Sequence, residues 1–299
     1  MRRRFVTLDV FTAKRFAGNP LAVVLEPDDL DTAAMQAIAR EFNLSETVFV
    51  QPPENSSHRA KLRIFTPGRE LPFAGHPTVG TAVLLGLRDG GAKERTFVLE
   101  EKVGLVPCRV TPAGTEQGRA IFDIPRLPEQ VGVVPDGATL AAALSIAPED
   151  LGFADYKASR WSAGNPFTVV PVRGLDVMAR CRPDMAHFNA AFGGGDFSAT
   201  FVVCGETAES GNTFHARMFA PGVGVAEDPA TGSAAAAFAG YLAAYDGYSD
   251  GEHLVRIEQG YEMGRPSVME LTLKIGGGKL TGAAIGGSAV VVAEGTIEA

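Results

Sequence analysis

Glu46 is the residue whose type and surroundings best suit it to move a proton. It lies in the run 44–50, LSETVFV, where apolar residues flank a single carboxyl group. Burial among such residues raises the pKa of a carboxyl group, and a glutamate with a pKa of about 6 to 7 suits general acid–base catalysis. A capping or surface glutamate at the start of a strand is the alternative. The apolar setting favours the general base.

Two predicted helix starts, built from small residues and a proline, could hold an anion. The first runs through Gly75, His76 and Pro77, and the second is the segment 227–233, EDPATGS, which contains Asp228. Small side chains leave the N–H groups of the first turn accessible, and the helix dipole adds partial positive charge there. Ordinary helix caps are the alternative. The presence of the feature at two corresponding positions favours carboxylate binding.

The two helix starts belong to an internal repeat. Four pairs of segments match in the same order, 17–24 with 163–170, 45–50 with 198–203, 63–68 with 217–222, and 77–82 with 229–234. Such self-similarity predicts two similar halves, 1–130 and 131–299, with a ligand cleft between them. The position of Glu46 is taken by Ala199 in the second half, so only one half carries the acid.

Hydrophobic periodicity predicts the elements that position these residues. Asp31 can cap a helix over 32–42, and β-branched and aromatic residues predict strands over 48–50, 61–65, 97–100 and 106–110. Apolar helices are expected over 77–85 and 229–245, each with a proline near its first turn. Strands outnumber helices, and each half has one apolar helix that a curved sheet could wrap. The expected fold class is α+β.

Composition and charge exclude several classes of protein. The 299 residues are 45% apolar and 21% charged, as in soluble globular chains. A net charge of -8 and a pI near 5.2 disfavour nucleic acid as a partner. We expect no membrane span, because no apolar run reaches about 18 residues, and no signal peptide, because no apolar segment follows the arginines at 2–4. The sequence therefore predicts a cytoplasmic protein.

Neither a metal nor a cofactor is expected. Cys108, Cys181 and Cys204 form no C-x-x-C motif and have apolar neighbours, which predicts buried thiols rather than disulfides, zinc ligands or nucleophiles. The other histidines (58, 187, 215 and 253) lack metal-ligand spacing, and the glycine run 193–195 lacks the Lys-Ser/Thr of a P-loop. Nucleotide cofactors are also disfavoured because no G-x-G-x-x-G unit joins a predicted strand to a helix. A serine nucleophile is disfavoured because the sequence contains no G-x-S-x-G motif.

The chain resembles the PhzF family of phenazine-biosynthesis isomerases, within the diaminopimelate epimerase-like fold group. The resemblance is carried in the family order by the segments 16–20 (FAGNP), 43–47 (NLSET), 63–67 (RIFTP), 70–77 (ELPFAGHP), 227–234 (EDPATGSA), 263–267 (MGRPS) and 292–295 (VAEG). It implies two pseudo-symmetric halves, each a β-barrel-like sheet wrapped around a central helix. It also implies an active site between the halves, a homodimer, and a final strand that packs back on the first half.

The resemblance also implies a reaction and roles for individual residues. The family's characterised isomerase acts on trans-2,3-dihydro-3-hydroxyanthranilate, and the glutamate that corresponds to Glu46 takes a proton from carbon 3 and returns one to carbon 1. The residues that correspond to His76 and Asp228 assist this proton transfer. The expected substrate-binding residues are Gly75, Gly232, Ser233, Thr231 and Asn19, with Ser233 and the backbone N–H groups near the two glycines holding the substrate carboxylate.

The expected function is therefore a cofactor-independent isomerase of a small carboxylated cyclic substrate. An amino-acid epimerase or racemase is one alternative. Epimerases of this fold group use one cysteine per half, whereas this chain has His76 and Asp228 at the corresponding helix starts. A non-catalytic homodimer that binds small carboxylates is the other alternative, against which the intact Glu46 and His76 argue.

Overall fold

The computed structural model of the chain describes residues 1–193 and 199–299. Ser198, the first residue of one repeat match, and two glycines of the run 193–195 lie outside the described residues. The chain divides into two compact units, Met1–Pro125 with Ile285–Ala299, and Arg126–Ala284. The sequence-based halves, in contrast, divide after residue 130.

Strands account for most of the regular structure. In chain order the elements are β1 (Arg2–Val10), β2 (Asn19–Leu25), α1 (Thr32–Phe42), β3 (Glu46–Gln51), β4 (Ala60–Phe65), β5 (Glu70–Leu71), α2 (Gly75–Arg88), β6 (Arg95–Glu101), β7 (Gly104–Pro112), β8 (Gln117–Asp123), β9 (Glu129–Gln130), α3 (Gly137–Ala143), β10 (Ser159–Ser162), β11 (Pro166–Pro171), α4 (Leu175–Arg180), α5 (Met185–Phe192), β12 (Thr200–Cys204), β13 (Phe214–Ala220), β14 (Val225–Asp228), α6 (Gly232–Tyr245), β15 (Gly251–Gln259), β16 (Ser267–Gly276) and β17 (Lys279–Glu298).

The first unit is a closed eight-stranded barrel. Its strands pair in the order β1, β2, β3, β4, β6, β7, β8 and β17, and β17 pairs with β1 to close the barrel. The pairs β2–β3 and β4–β6 are parallel. Alternating burial along β7, with Val106, Cys108 and Val110 inward and Arg109 outward, shows the two-residue period of a sheet with one covered face.

Helix α2 lies inside this barrel and packs on β1, β2, β3, β7 and β8. All of its residues from Gly75 to Gly86 are buried, as expected for a helix that is apolar on every side. Gly80 permits the close approach of the barrel wall. A Cβ atom at this position would lie 2.7 Å from Cδ2 of Leu21 and from Cγ2 of Val10.

Helix α1 forms as the sequence predicts, over residues 32–42. Oδ1 of Asp31 accepts a 2.8 Å hydrogen bond from the backbone N–H of Ala34, which satisfies one of the free N–H groups of the first turn. Met35 and Ala39 are buried, and they pack in one cluster with Phe49 and Phe65 of the barrel. The predicted cap, helix and apolar face are all confirmed.

The second unit also wraps a sheet around a helix. Its strands pair in the order β9, β10, β11, β12, β13, β15 and β16, with β14 added on β13. Helix α6 packs on β9, β10, β11 and β16, and ten of its residues are buried. The α+β class, with a β-barrel-like sheet around a helix in each unit, is confirmed. Among the helices of the described residues, none is long and apolar enough to span a bilayer.

The start of α6 differs from the prediction. The helix begins at Gly232, not at Pro229, because Asp228 still pairs with Met218 as a strand residue. Thr231, the residue before the helix, has φ −115° and ψ 89°, outside the helical region. The predicted proline in the first turn is therefore wrong for α6 and right for α2, where Pro77 is the third residue.

The three cysteines are free and buried, as the sequence predicts. Burial raises the pKa of all three thiols, to about 12 for Cys181 and Cys204. A thiol with such a pKa is protonated at neutral pH and is a poor nucleophile.

Candidate active site

Glu46 is the first residue of β3, on the wall of the barrel in the first unit. It pairs in parallel register with Leu21 of β2, and the next residues of β3, Thr47 and Val48, are fully buried. The Glu46 side chain itself is 16% exposed. The predicted apolar setting is therefore present, and the carboxylate keeps access to solvent.

His76 brings a second titratable group to the same place. Its Nε2 atom lies 3.3 Å from Oε2 of Glu46, although the angles do not meet those of a hydrogen bond. The imidazole is 4% exposed, and its burial lowers its pKa to about 3. His76 is therefore neutral at neutral pH, and the carboxyl group of Glu46 faces an uncharged imidazole.

Gly75 and His76 are the first two residues of α2. Ala74 precedes them in an extended conformation and has no polar side chain with which to cap the helix. The first turn therefore presents backbone N–H groups and a partial positive charge that no side-chain cap neutralises. This is the local arrangement that the sequence predicts for carboxylate binding.

Asn19 begins β2 in the same unit. It pairs with Val10 of β1 and is fully buried. Its role in substrate binding, which the family-like segment 16–20 implies, stays a prediction.

Asp228 and Thr231 are in contact in the second unit. Asp228 ends β14 and is 6% exposed, and its Oδ2 accepts a 2.6 Å hydrogen bond from Oγ1 of Thr231. Gln259, at the end of β15, donates from Nε2 to the backbone O of Asp228 at 2.7 Å and to Oγ1 of Thr231 at 3.1 Å. The segment before α6 is held by these hydrogen bonds.

Gly232 and Ser233 are the first two residues of α6. Gly232 is buried, Ser233 is partly exposed, and the side chain of Thr231 makes no capping hydrogen bond to the helix; its hydroxyl donates to Asp228 instead. The start of α6 thus resembles the start of α2, with small residues and no side-chain cap.

The predicted site residues form two groups. Glu46, His76, Gly75 and Asn19 lie in the first unit, where Glu46 and His76 are in contact. The second unit holds the remaining residues of the predicted set, Asp228, Thr231, Gly232 and Ser233. Within residues 1–193 and 199–299, no three His, Cys, Asp or Glu side chains come together as metal ligands.

Two polar residues beside the helix starts were not predicted from the sequence. Glu101 contacts Thr78 in the first turn of α2, and Gln259 contacts Thr231 before α6. Each is the last residue of its strand and follows a glutamate, Glu100 or Glu258. The recurring pairs Glu-Glu and Glu-Gln at strand ends were a possible sequence signal.

Comparison with known proteins gives full-length matches. The sequence profile of the PhzC-PhzF family, described as "Phenazine biosynthesis-like protein", matches residues 8–295. An uncharacterized isomerase of Mesorhizobium japonicum is 48% identical, over 99% of this chain and 98% of its own length. The trans-2,3-dihydro-3-hydroxyanthranilate isomerase of Pseudomonas fluorescens is 35% identical, over 98% of both chains. The crystal structure of a PhzF-family phenazine biosynthesis protein from Bacillus anthracis superposes with a TM-score of 0.89 at 27% identity and full coverage of both chains.

Proposed function

Because this chain belongs to the phenazine biosynthesis-like PhzC-PhzF family and is an isomerase of that type, we propose that it moves a proton between carbons of a small carboxylated cyclic substrate, trans-2,3-dihydro-3-hydroxyanthranilate or a relative. The observation that carries the proposal is the contact between Glu46 and His76. A partly exposed carboxylate touches a buried neutral imidazole at an uncapped helix start.

Glu46 is the proton carrier in this proposal. Its carboxylate takes the proton from carbon 3, where the C–H bond breaks, and the resulting acid returns a proton to carbon 1, where a new C–H bond forms. The substrate neither gains nor loses atoms, and no electrons leave it. Acid–base catalysis of this kind contributes about 10²- to 10⁴-fold in rate.

His76 supports the transfer without adding charge. A neutral imidazole can donate a hydrogen bond from one nitrogen and accept at the other, so it can stabilise charge that develops on a nearby oxygen or nitrogen of the substrate. Its burial disfavours the imidazolium form. Glu46 is therefore not neutralised by a permanent ion pair with His76.

The helix starts and Ser233 serve substrate binding in the proposal. The backbone N–H groups at Gly75 and Gly232 and the Ser233 hydroxyl are the donors assigned to the substrate carboxylate. Asp228 is assigned to proton transfer together with Glu46 and His76. Thr231 positions Asp228 through its 2.6 Å hydrogen bond.

Proton NMR in deuterated buffer tests the proposal. The purified protein is incubated with trans-2,3-dihydro-3-hydroxyanthranilate, and the carbon 3 signal and the deuterium gained at carbon 1 are followed. We expect turnover by the wild type and by Glu41→Gln, which alters an exposed glutamate of α1. For Glu46→Gln we expect a rate at least about 10²-fold lower, because the amide keeps the shape and removes the base.

The outcomes test the assignment of Glu46 as the base separately from the assignment of the substrate. Full activity of Glu46→Gln would exclude Glu46 as the proton carrier. Turnover of other small carboxylates, with trans-2,3-dihydro-3-hydroxyanthranilate untouched, would move the assignment to a relative of that substrate. Proton exchange at the α-carbon of a free amino acid would favour the epimerase alternative, for which the buried cysteines offer no pair of thiolates.

A further inference from the structure

Glu101 is a buried acid that has no part in the proposed proton transfer. It is the last residue of β6 and is 8% exposed. Its Oε1 atom lies 2.7 Å from Oγ1 of Thr78, and the same hydroxyl oxygen lies 2.8 Å from the backbone O of Ala74. One hydroxyl group therefore links Glu101 to the turn of α2 that carries His76.

A count of protons constrains the state of Glu101. The Thr78 hydroxyl has one proton, and the backbone O of Ala74 can only accept a hydrogen bond. If Glu101 is ionised, two acceptors compete for that proton, and one short oxygen–oxygen contact in a buried place is left without a proton. If Glu101 is a carboxylic acid, it donates to Thr78 and Thr78 donates to Ala74. Only the protonated acid satisfies both contacts.

The other carboxyl oxygen agrees with this assignment. Among the described residues, Oε2 of Glu101 has no hydrogen-bond partner. An unpartnered oxygen costs far more free energy when it belongs to a buried carboxylate than when it is the C=O of a neutral acid.

The second unit contains the same arrangement of strands. Strand β15 runs parallel to β13, as β6 runs parallel to β4. On each of these strands a glutamate carboxylate accepts hydrogen bonds from two successive backbone N–H groups of a loop, Glu100 from Glu54 and Asn55, and Glu258 from Ala208 and Glu209. The residue after this glutamate is Glu101 in the first unit and Gln259 in the second.

Gln259, the counterpart of Glu101 in the second unit, is a neutral side chain that acts as a hydrogen-bond donor. Its amide donates to the backbone O of Asp228 and to Oγ1 of Thr231, immediately before α6. A neutral hydrogen-bond donor thus holds the segment that carries Asp228. A protonated Glu101 is also a neutral donor and lies beside the turn that carries His76.

We infer that Glu101 is a carboxylic acid in the folded protein, donates its proton to Thr78, and so acts as a positioning residue for the start of α2 and for His76. This inference rests on the proposed function only where it gives His76 a part in the reaction. The protonation of Glu101 and its hold on α2 are independent of the substrate.

The surroundings of Glu101 favour the neutral acid. Burial raises its pKa to about 8, and the Thr78 hydrogen bond opposes this rise only in part. On β7 the Cys108 thiol, whose own pKa is raised by burial, interacts electrostatically with Glu101, and α2 faces Glu101 with the uncharged Thr78.

Charged groups on the open side of Glu101 are paired among themselves. Glu101 lines a groove whose other charged or titratable residues, on β4, β5, β6 and the adjoining loops, are Glu54, His58, Lys61, Arg63, Glu70, Glu100 and Lys102. These residues form the ion pairs Arg63–Glu70, Lys102–Glu70 and Lys61–Glu54, and Nδ1 of His58 lies 2.7 Å from Oε1 of Glu100. The cations in the groove therefore have carboxylate partners of their own.

The sign of the pH dependence follows from the raised pKa. Above the ordinary glutamate pKa of 4.5 the unfolded chain ionises at this residue, whereas the folded chain keeps its proton up to about pH 8. The stability that Glu101 contributes is therefore fully present below pH 4.5 and is lost as the pH rises to about 8.

Urea unfolding of the wild type and of Glu101→Gln, from pH 5 to pH 9, tests the inference. The ratio of their unfolding equilibrium constants, wild type over variant, should rise about tenfold per pH unit up to pH 8 and then level off. The exposed Glu41→Gln variant should show no such slope against the wild type. The ¹³C NMR signal of the Glu101 carboxyl, identified by its absence in Glu101→Gln, should titrate near pH 8.

A second measurement tests positioning. The ¹H–¹³C signal of the His76 imidazole should be unchanged in Glu101→Gln, whose amide can replace the donor. It should shift in Glu101→Ala and in Thr78→Val, and in the wild type above pH 8. Isomerase activity should follow the same order, with kcat reduced in the two disruptive variants and restored by the glutamine.

Titration of the Glu101 carboxyl near pH 4.5, or an equal pH slope in Glu101→Gln and the wild type, would overturn the inference. An unchanged His76 signal in Glu101→Ala would overturn the positioning role. If the wild type turns over no substrate, the proposed function fails and these titrations still decide the state of Glu101.

Discussion

His76 and Glu46 meet at 3.3 Å, between Nε2 and Oε2, although one residue belongs to the helix inside the barrel and the other to the barrel wall. The barrel therefore sets their separation. The backbone of α2 is packed against β1, β2 and β3, which fixes the first turn of the helix relative to the strand that carries Glu46. A pair held in this way is preorganised for proton transfer.

We predict that His76 makes the protein sensitive to acid. Its pKa is about 3 in the folded chain against an ordinary 6.5, because burial disfavours the charged imidazole. Stability from this residue is present above pH 6.5 and is lost as the pH falls toward 3, by up to roughly 5 kcal/mol.

Urea unfolding between pH 4 and pH 7 measures this effect. The wild type should lose stability relative to His76→Gln by about a factor of ten in the unfolding equilibrium constant per pH unit. The exposed His187→Gln variant is the matched control and should keep the slope of the wild type. Equal slopes in His76→Gln and the wild type would show that the imidazole is protonated in the folded chain.

We predict that Ser233→Ala weakens substrate binding more than it slows the reaction. The Ser233 hydroxyl is partly exposed at the start of α6, and a hydrogen bond to a charged acceptor is worth about 1.5–3 kcal/mol. KM should rise about tenfold or more, with kcat within about threefold of the wild type. Steady-state kinetics of Ser233→Ala, with the exposed Ser249→Ala as control, decide the matter. A fall in kcat alone would place Ser233 in the chemical step.

We predict that Arg63→Lys destabilises the first unit by about 1–3 kcal/mol. The guanidinium donates from Nε and Nη2 to the two oxygens of Glu70, at 2.8 and 2.9 Å, and lies 5.1 Å from the ring centre of Phe65. Lysine cannot form this two-point contact. Thermal unfolding should show a smaller effect for Arg2→Lys, since Arg2 is 76% exposed. An equal loss in both variants would contradict the prediction.

We predict that Gly80→Ala is destabilising even though alanine favours helices. The added methyl group would clash with buried methyl groups of Leu21 and Val10, and such overpacking costs about 1–3 kcal/mol. Chemical denaturation should show this loss, while Gly68→Ala, whose Cβ would have no neighbour closer than 3.8 Å, stays near the wild type. A more stable Gly80→Ala variant would mean that the barrel wall can move.

Elements whose caps and apolar faces are encoded locally could be predicted from the sequence. Helix α1 has a capping aspartate, Asp31, and an apolar face at helical spacing, and both appear in the structure. The start of α6 was predicted wrongly because Gln259, distant in the sequence, accepts a hydrogen bond from the N–H of Thr231 and donates one to the backbone O of Asp228, which holds these residues out of the helix.

The site could be predicted as residue types but not as geometry. The apolar flanks identified Glu46, and the small residues identified the start of α2. Their contact depends on α2 lying inside the closed barrel, a tertiary arrangement that no local pattern encodes. Glu101 was missed because its contact with Thr78 also depends on α2 lying inside the barrel, and the Glu-Glu pair at the end of β6 is a weak signal by itself.

The long strand β17 has a consequence for the order in which the chain can fold. Residues 279–284 belong to the second unit, and Ile285–Ala299 belong to the first, where β17 fills the place between β8 and β1. On the ribosome, β1 and β8 must wait with unpaired edges until the whole second unit and β17 have been made, whereas the strands of the second unit emerge one after another without such an interruption. Such edges invite association with other chains, so this protein should depend most on chaperones while its first barrel is still open.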